Sequence, residues 1–253
     1  MAATTTRYYR HVLIDLDNTL LDFAVCEAQI LTAMAHEYGF SPRTREGQAL
    51  VVPYRQINSE LWQQLERGEI SGPELRIQRF RRLLTHLEPG AAGPLPKPEM
   101  LNQQFIQRLS RCGELVPTAA AVVQKIAPVV IITNGFPEVQ YPRLERCGLK
   151  PHIAATFISG EIGFSKPDPR FFNAVLAALG NPDPNECLVV GDSLTSDIAG
   201  GNAMGMDTVW FDRSATLGEA ATAGADRITP TRRITRLSDL PALVDKGLHS
   251  ADI

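Results

Sequence analysis

Short apolar segments constrain this chain most. They lie at 10–16 (RHVLIDL), 128–133 (PVVIIT), near 154–159, 187–191 (CLVVG) and 207–211 (DTVWF). Each is strand-length, most are rich in β-branched residues, and helical periodicity follows each of the first four. Strands with few polar positions are those buried on both faces, as in a parallel sheet covered by helices on each side. Helices are predicted at 99–111, 117–126, 137–147, 168–179 and 195–204. A last strand and a short helix fall within 214–253, with frayed final residues.

The regular alternation is interrupted once. Between the first strand and the next, residues 20–88 read as all-helical, with helices at 23–38, 46–66 and 72–87. The third opens on Ser71-Gly72-Pro73-Glu74, a capping-box pattern with proline in the first turn. The segment PGAAGPLPKP at 89–98 is too rich in proline and glycine for regular structure and reads as a linker. The expected fold class is therefore α/β: a Rossmann-like parallel-sheet core, residues 1–19 and 97–253, carrying an inserted all-helical domain, residues 20–96.

Composition excludes several classes of function. The net charge of −3 gives no electrostatic footprint for a nucleic acid polymer. The clusters Arg79, Arg81, Arg82 and Arg232, Arg233, Arg236 read as solvated faces. No apolar run approaches 18 residues and the amino end has no apolar leader-like core, so neither membrane insertion nor secretion is expected. The four cysteines, Cys26, Cys112, Cys147 and Cys187, are widely spaced with no C-x-x-C pair. They read as free thiols in a reducing, cytoplasmic setting.

Ligands of open α/β sheets bind at the carboxyl ends of the strands. Asp15 and Asp17 follow the first strand, Thr133-Asn134-Gly135 the second, and Asp192 the strand at 187–191, with Asp197 five residues on. Lys166 lies in Ser165-Lys166-Pro167-Asp168. Singly, each has a plain structural role open to it: Asp168 is an N-cap before Pro169, and Asp183 is turn chemistry before Pro184. Jointly they do not. Carboxylates gathered at one edge repel one another unless positive charge sits among them. Hard oxygen donors suit Mg²⁺, and a lysine alongside balances an added phosphoryl group.

The residues Asp15-Leu16-Asp17-Asn18-Thr19 resemble the D-x-D-x-T first motif of the haloacid dehalogenase-like superfamily. Ile132-Thr133-Asn134-Gly135 resembles its second motif, Lys166 in SKPDP its third, and Gly191-Asp192-Ser193-Leu194-Thr195-Ser196-Asp197 the G-D-x-x-x-S-D form of its fourth. The inserted helices resemble its helical (C1-type) cap, which would exclude water from the site and select substrates. The resemblance implies Asp15 as nucleophile forming an aspartyl-phosphate, Asp17 as general acid and then base, and Lys166 as the neutralising cation. It implies phosphate binding by Thr133 and the Asn134 amide. Mg²⁺ would be held by Asp15, the Asp17 carbonyl and Asp192, with Asp197 direct or through water.

Longer stretches, among them LWQQLERGEIS (61–71), RLERCGL (143–149) and GEIGFSKPDPRFF (160–172), resemble the noncanonical pyrimidine 5'-nucleotidase branch. That implies nucleoside 5'-monophosphates as substrates, taken by a monomer or homodimer. The alternatives are a small-metabolite phosphatase for phosphoglycolate, sugar phosphates or acylneuraminate 9-phosphate, then a 2-haloacid dehalogenase or a non-enzymatic binding protein. Asp17 argues against a dehalogenase, because halide leaves without needing a proton.

Overall fold

The apolar runs expected as strands are strands in the computed structural model, which describes residues 9–39, 50–86, 96–214 and 227–246, and all but the one near 154–159 are largely buried. They are β1 (His11–Asp15), β2 (Val129–Thr133), β3 (Ile153–Ile158), β4 (Cys187–Gly191), β5 (Asp207–Phe211) and β6 (Arg232–Ile234). All pair in parallel, in the order β3-β2-β1-β4-β5-β6. Leu13 of β1 is in register with Val130 on one side and Val189 on the other. The order reverses between β1 and β4, so their carboxyl ends lie at the crevice where doubly wound sheets bind ligands.

Successive side chains point to opposite faces, and both faces are buried. Val12, Ile14, Ile131 and Val190 pack with Val122, Val123 and Ile126 of α5 (Ala119–Ile126) and with Leu144 of α6 (Pro137–Arg146). Leu13, Val130, Ile132 and Val189 pack with Phe171, Phe172 and Val175 of α8 (Pro169–Ala178). Gly200 has no side chain because a Cβ there would strike the Phe172 ring. A one-turn helix, α7 (Ser159–Ile162), follows β3. The helix expected at 195–204 is a π-helical turn, Leu194–Ile198, that runs into α9 (Ala199–Ala203). Helix α10 (Leu240–Lys246) follows β6. Asp168 is the expected N-cap, accepting from the Arg170 amide, and Asp183, expected as turn chemistry, accepts from the Asn185 amide at the start of a 3-10 turn. The expected fraying of the final residues lies outside the described residues.

The chain divides into two compact units, Met1–Asp22 with Gly113–Ile253, and Phe23–Cys112. The second contains α1 (Phe23–Glu37), α2 (Val51–Glu66), α3 (Gly72–Thr85) and α4 (Pro98–Leu109). The expected core, 1–19 with 97–253, and the expected helical domain, 20–96, differ from this division at both ends. Helix α4 packs on α3 and α1 and contributes Phe105 to the helical core beside Tyr54 and Phe80, with ring centroids 5.4–5.6 Å apart. Its buried stripe of Leu101, Phe105 and Leu109 would look the same against either partner. Most of the 89–98 linker, residues 89–95, lies outside the described residues.

The capping box at Ser71 is present in both directions: Ser71 N–H donates to Glu74 Oε2 (2.8 Å), and Ser71 Oγ accepts from the Glu74 amide (3.4 Å). One arginine departs from its expectation. Arg79 is buried, with its guanidinium over the Phe80 and Phe105 rings and a 2.7 Å bond to Asn102. Phe80 beside it and Leu83 make α3 inward-facing at that position, so it is no solvated face.

The cysteine expectation needs correction. Cys26 and Cys112, 86 residues apart in sequence, form a disulfide; Cys147 and Cys187 are free. Spacing could not reveal it, because an insertion brings its first and last segments together however long the chain between them. The chain-entropy relation gives about 4–5 kcal/mol for closing a loop of this length. Urea unfolding with and without dithiothreitol measures it. Reduction and Cys112→Ser are expected to lower the midpoint of the helical unit equally.

Candidate active site

The center of the site is an ammonium group. Lys166 is 1% exposed and its Nζ donates to Asp15 Oδ1 (2.6 Å), Asp197 Oδ1 (2.6 Å) and the Ile132 carbonyl (3.0 Å). These three bonds satisfy all three N–H groups of a lysine. The backbone is held equally firmly. Asn134 Nδ2 donates to the Lys166 carbonyl and the Lys166 amide donates to Asn134 Oδ1, both at 2.9 Å. Asn134, expected to act through its amide, thus also uses its side chain to pin the segment bearing the lysine.

Burial opposes ionisation of both Asp15 and Lys166, and the outcome differs between them. Asp15 is pushed up from 3.8 to about 7, first by burial, with the Asp197 and Asp17 charges adding and Lys166 opposing. Burial works against the Lys166 ammonium, but the Asp15 and Asp197 charges outweigh it and raise its pKa. The second oxygen of Asp15 accepts from Thr19 Oγ1 at 3.2 Å, which gives the threonine of the first motif a definite job.

Asp197 reaches Lys166 through a local irregularity. The π turn carries it back toward the end of β4, where its Oδ2 accepts from the Ser193 amide at 3.1 Å. A Cβ on Gly191 would collide with that carboxylate, so the glycine before Asp192 is required by this close approach. One carboxylate oxygen from each of Asp15, Asp192 and Asp197 lies within 4.8 Å of the other two. An all-oxygen set of this kind fits a hard divalent cation rather than a softer metal.

Asp17 is held apart from this group. Its Oδ1 accepts from Arg143 Nη1 and its Oδ2 from Gln140 Nε2 at 2.6 Å. Gln140 Nε2 also donates to Thr133 Oγ1 (2.9 Å), which accepts from the Gly135 amide as well (3.1 Å). The backbone between the two aspartates and the helix turns at Asn18, whose φ of +60° asparagine tolerates better than most residues. The loop is anchored by Arg213, which follows β5 and grips both Asp22 oxygens (3.2 and 2.9 Å).

All the expected side chains are thus at one edge of the sheet. Asp15, Lys166, Asp192 and Asp197 form one group, with Asn134 behind it. Thr133 and Asp17 are joined through Gln140. Gln140 and Arg143 were not among the expected residues. Their signal is the inward stripe of α6, Val139, Gln140, Arg143 and Leu144, in which half the buried positions are polar.

The model of the haloacid dehalogenase-like hydrolases matches residues 9–205. The chain belongs to that family. It is 32% identical over 235 residues to the Bacillus subtilis protein YfnB, named as a HAD-hydrolase, covering 92% of this chain and 94% of YfnB. A solved structure of YfnB bound to magnesium matches with a TM-score of 0.80 at 30% identity, covering 94% of this chain and 100% of that one. Pyrimidine 5'-nucleotidase PynA of Streptococcus pneumoniae is 33% identical, covering 81% and 84% of the two chains. Pyrimidine 5'-nucleotidase YjjG of Escherichia coli is 31% identical, covering 93% and 97%.

The Asp15 pKa gives a signed expectation. Between about pH 4 and 7 the folded, ion-free protein holds a proton on Asp15 that the unfolded chain has lost. Stability in EDTA therefore falls as pH rises through that window. Chemical denaturation at pH 5 and pH 8 measures the slope, and Asp15→Asn is expected to flatten it.

Proposed function

We propose that the protein is a Mg²⁺-dependent phosphomonoester hydrolase acting on nucleoside 5'-monophosphates through an aspartyl-phosphate on Asp15. The carrying observation is the division of labour between two carboxylates two residues apart. Asp15 is buried against a lysine at the end of β1, whereas Asp17 is partly exposed and held by a separate set of donors. Hydrolysis of a phosphate ester needs both kinds: a nucleophile beside positive charge and a proton carrier beside the leaving group.

In this reading an Asp15 oxygen attacks phosphorus and the ester P–O bond breaks. The leaving alkoxide takes its proton from Asp17. Asp17, now ionised, removes a proton from water as that water attacks the phosphorus of the aspartyl-phosphate, releasing inorganic phosphate and restoring Asp15. Lys166 holds the Asp15 carboxylate in line and offsets the charge gathered there. The Thr133 hydroxyl and the Asn134 amide bind phosphoryl oxygens. Asp15, Asp192, Asp197 and the Asp17 carbonyl would hold Mg²⁺, which supplies charge neutralisation for the phosphoryl oxygens. The magnesium in YfnB supports this choice of ion.

The names of PynA and YjjG, and the stretches quoted above, support a pyrimidine nucleotide as substrate. A small-metabolite phosphatase is the second reading, since the same phosphoryl chemistry serves any monoester that fits. A dehalogenase has no use for Asp17. We place the enzyme with its nucleotides in the cytoplasm, as a monomer or homodimer with no membrane or nucleic acid polymer as partner. No described helix is long and apolar enough to cross a membrane. Intact mass with thiol labelling of protein taken from cells reads the Cys26–Cys112 bond and bears on that location.

Two measurements test the reading. With p-nitrophenyl phosphate, turnover is expected to require Mg²⁺, to stop in EDTA, and to fall by at least about 10³-fold in Asp15→Asn while the fold persists by circular dichroism. Near-normal turnover in that variant would remove the mechanism. In a substrate panel, UMP and its deoxy analogues are expected to exceed phosphoglycolate and sugar phosphates in kcat/KM. Nucleotides at the bottom of the ranking would leave a metabolite phosphatase.

A further inference from the structure

Among the described residues Arg143 is the largest fully buried side chain, and packing alone gives no reason for it to be an arginine. A guanidinium without contact to water is costly unless charge and hydrogen bonds compensate it. Its Nη1 donates to Asp17 Oδ1 and to Gln140 Oε1 (3.0 Å). Gln140, 0% exposed, donates from its one amide nitrogen to Asp17 Oδ2 and to Thr133 Oγ1. The two residues are one helical turn apart on α6 and share a face.

Gly135 belongs to the same arrangement. Its φ is not in the left-handed region, so backbone freedom does not require glycine there. A Cβ would instead run into the whole Gln140 side chain, meeting its Cγ at 2.8 Å and its amide closer still. The absence of a side chain at 135 is what lets Gln140 cross to Asp17.

We propose that Gln140 and Arg143 are positioning residues that aim the Asp17 carboxyl group for proton transfer and couple it to the phosphate-binding hydroxyl of Thr133, with Gly135 leaving the space for that bridge. The inference rests on the phosphatase reading. A carboxyl group two residues beyond the strand end, on a loop that turns at Asn18, has several rotamers open to it. Donors from one rigid helix to both of its oxygens leave it one. Because the same Gln140 amide binds Thr133, the proton carrier and the phosphate-binding group are held in one frame.

The test uses the dependence on leaving group. A nucleoside leaves as a basic alkoxide that must take the proton from Asp17, whereas p-nitrophenolate leaves without one. Gln140→Leu and Arg143→Met are compared with the full-length wild-type protein in Mg²⁺. UMP is followed by phosphate release, and p-nitrophenyl phosphate by its first-turnover burst, which reports formation of the aspartyl-phosphate alone. Both variants are expected to lose about 100-fold in kcat for UMP, the usual scale of acid–base assistance, with KM changed less than about threefold. The p-nitrophenol burst rate should fall less than about fivefold. Gly135→Ala, which displaces Gln140 without touching Asp17, should reproduce Gln140→Leu, and Arg143→Lys should recover part of the UMP rate.

Equal losses for both esters, or a change confined to KM, would overturn the proposal and make the network a structural tie only. Gln140→Leu conserves volume, so it carries the result if Arg143→Met does not fold, and a Gln140→Leu that also fails to fold counts for the structural tie. Wild-type protein inactive on both esters would instead overturn the phosphatase reading beneath it.

Discussion

A single ammonium group, shut away from water between two carboxylates, is the interaction on which the site depends. Lys166 comes from a segment without regular structure, Asp15 from the end of β1 and Asp197 from a π turn after β4. No two of these are near in sequence, and each is costly to bury without the others. Removing one partner of such a buried set commonly costs about 3–5 kcal/mol. The neighbouring choices follow from it. Gly191 clears the path for Asp197, Asn134 pins the backbone of the lysine, and Thr19 takes the second oxygen of Asp15. The same burial leaves Asp15 with a pKa pushed up to about 7, despite the opposing charge of Lys166.

The sheet supplies the rest. With β1 at the point where strand order reverses, β2 lies on one side of its carboxyl end and β4 on the other. Segments that follow the strands on both sides converge there. Asp17 and Thr133 occupy the β2 side with Gln140 and Arg143, and Asp192 and Asp197 the β4 side. Asp15 and Lys166 lie between them. The side chain of the proposed proton carrier and the Asp192 and Asp197 carboxylates thus lie on opposite sides of the central strand, and the Asp17 and Asp197 carboxylates belong to different hydrogen-bonded sets.

Much of this was legible in the residues. Strands such as VVIIT and CLVVG are apolar throughout because both faces are covered, whereas a strand with one wet face would alternate. The strand-end residues Asp15, Thr133 and Asp192 stood out as polar groups where apolar runs stop, and Lys166 and Asp197 through the SKPDP and G-D-x-x-x-S-D segments. What escaped had physical causes. Gln140 and Arg143 sit inside a helix, where a buried polar residue and a solvated one have the same letter. Helix α4 carries a stripe that suits either unit. The Cys26–Cys112 pair is 86 residues apart, and only folding makes the two ends neighbours. Arg79 looked like surface charge because its partners, two aromatic rings and Asn102, come from α3 and α4 together.

The disulfide gives the helical unit an unusual covalent shape. Cys26 lies in the first turn of α1, and Cys112 is the last residue of the unit. The bond between them closes the insertion into a ring attached to the sheet-bearing part by two short stems, Phe23–Ala24–Val25 on one side and the Cys112–Gly113 peptide on the other. A backbone cut anywhere inside the ring leaves every residue covalently attached through the Cys26–Cys112 bond, and the points of attachment stay the same. In the language of chain topology it is a pendant loop with a defined base, and the base is set by one bond rather than by what the loop contains.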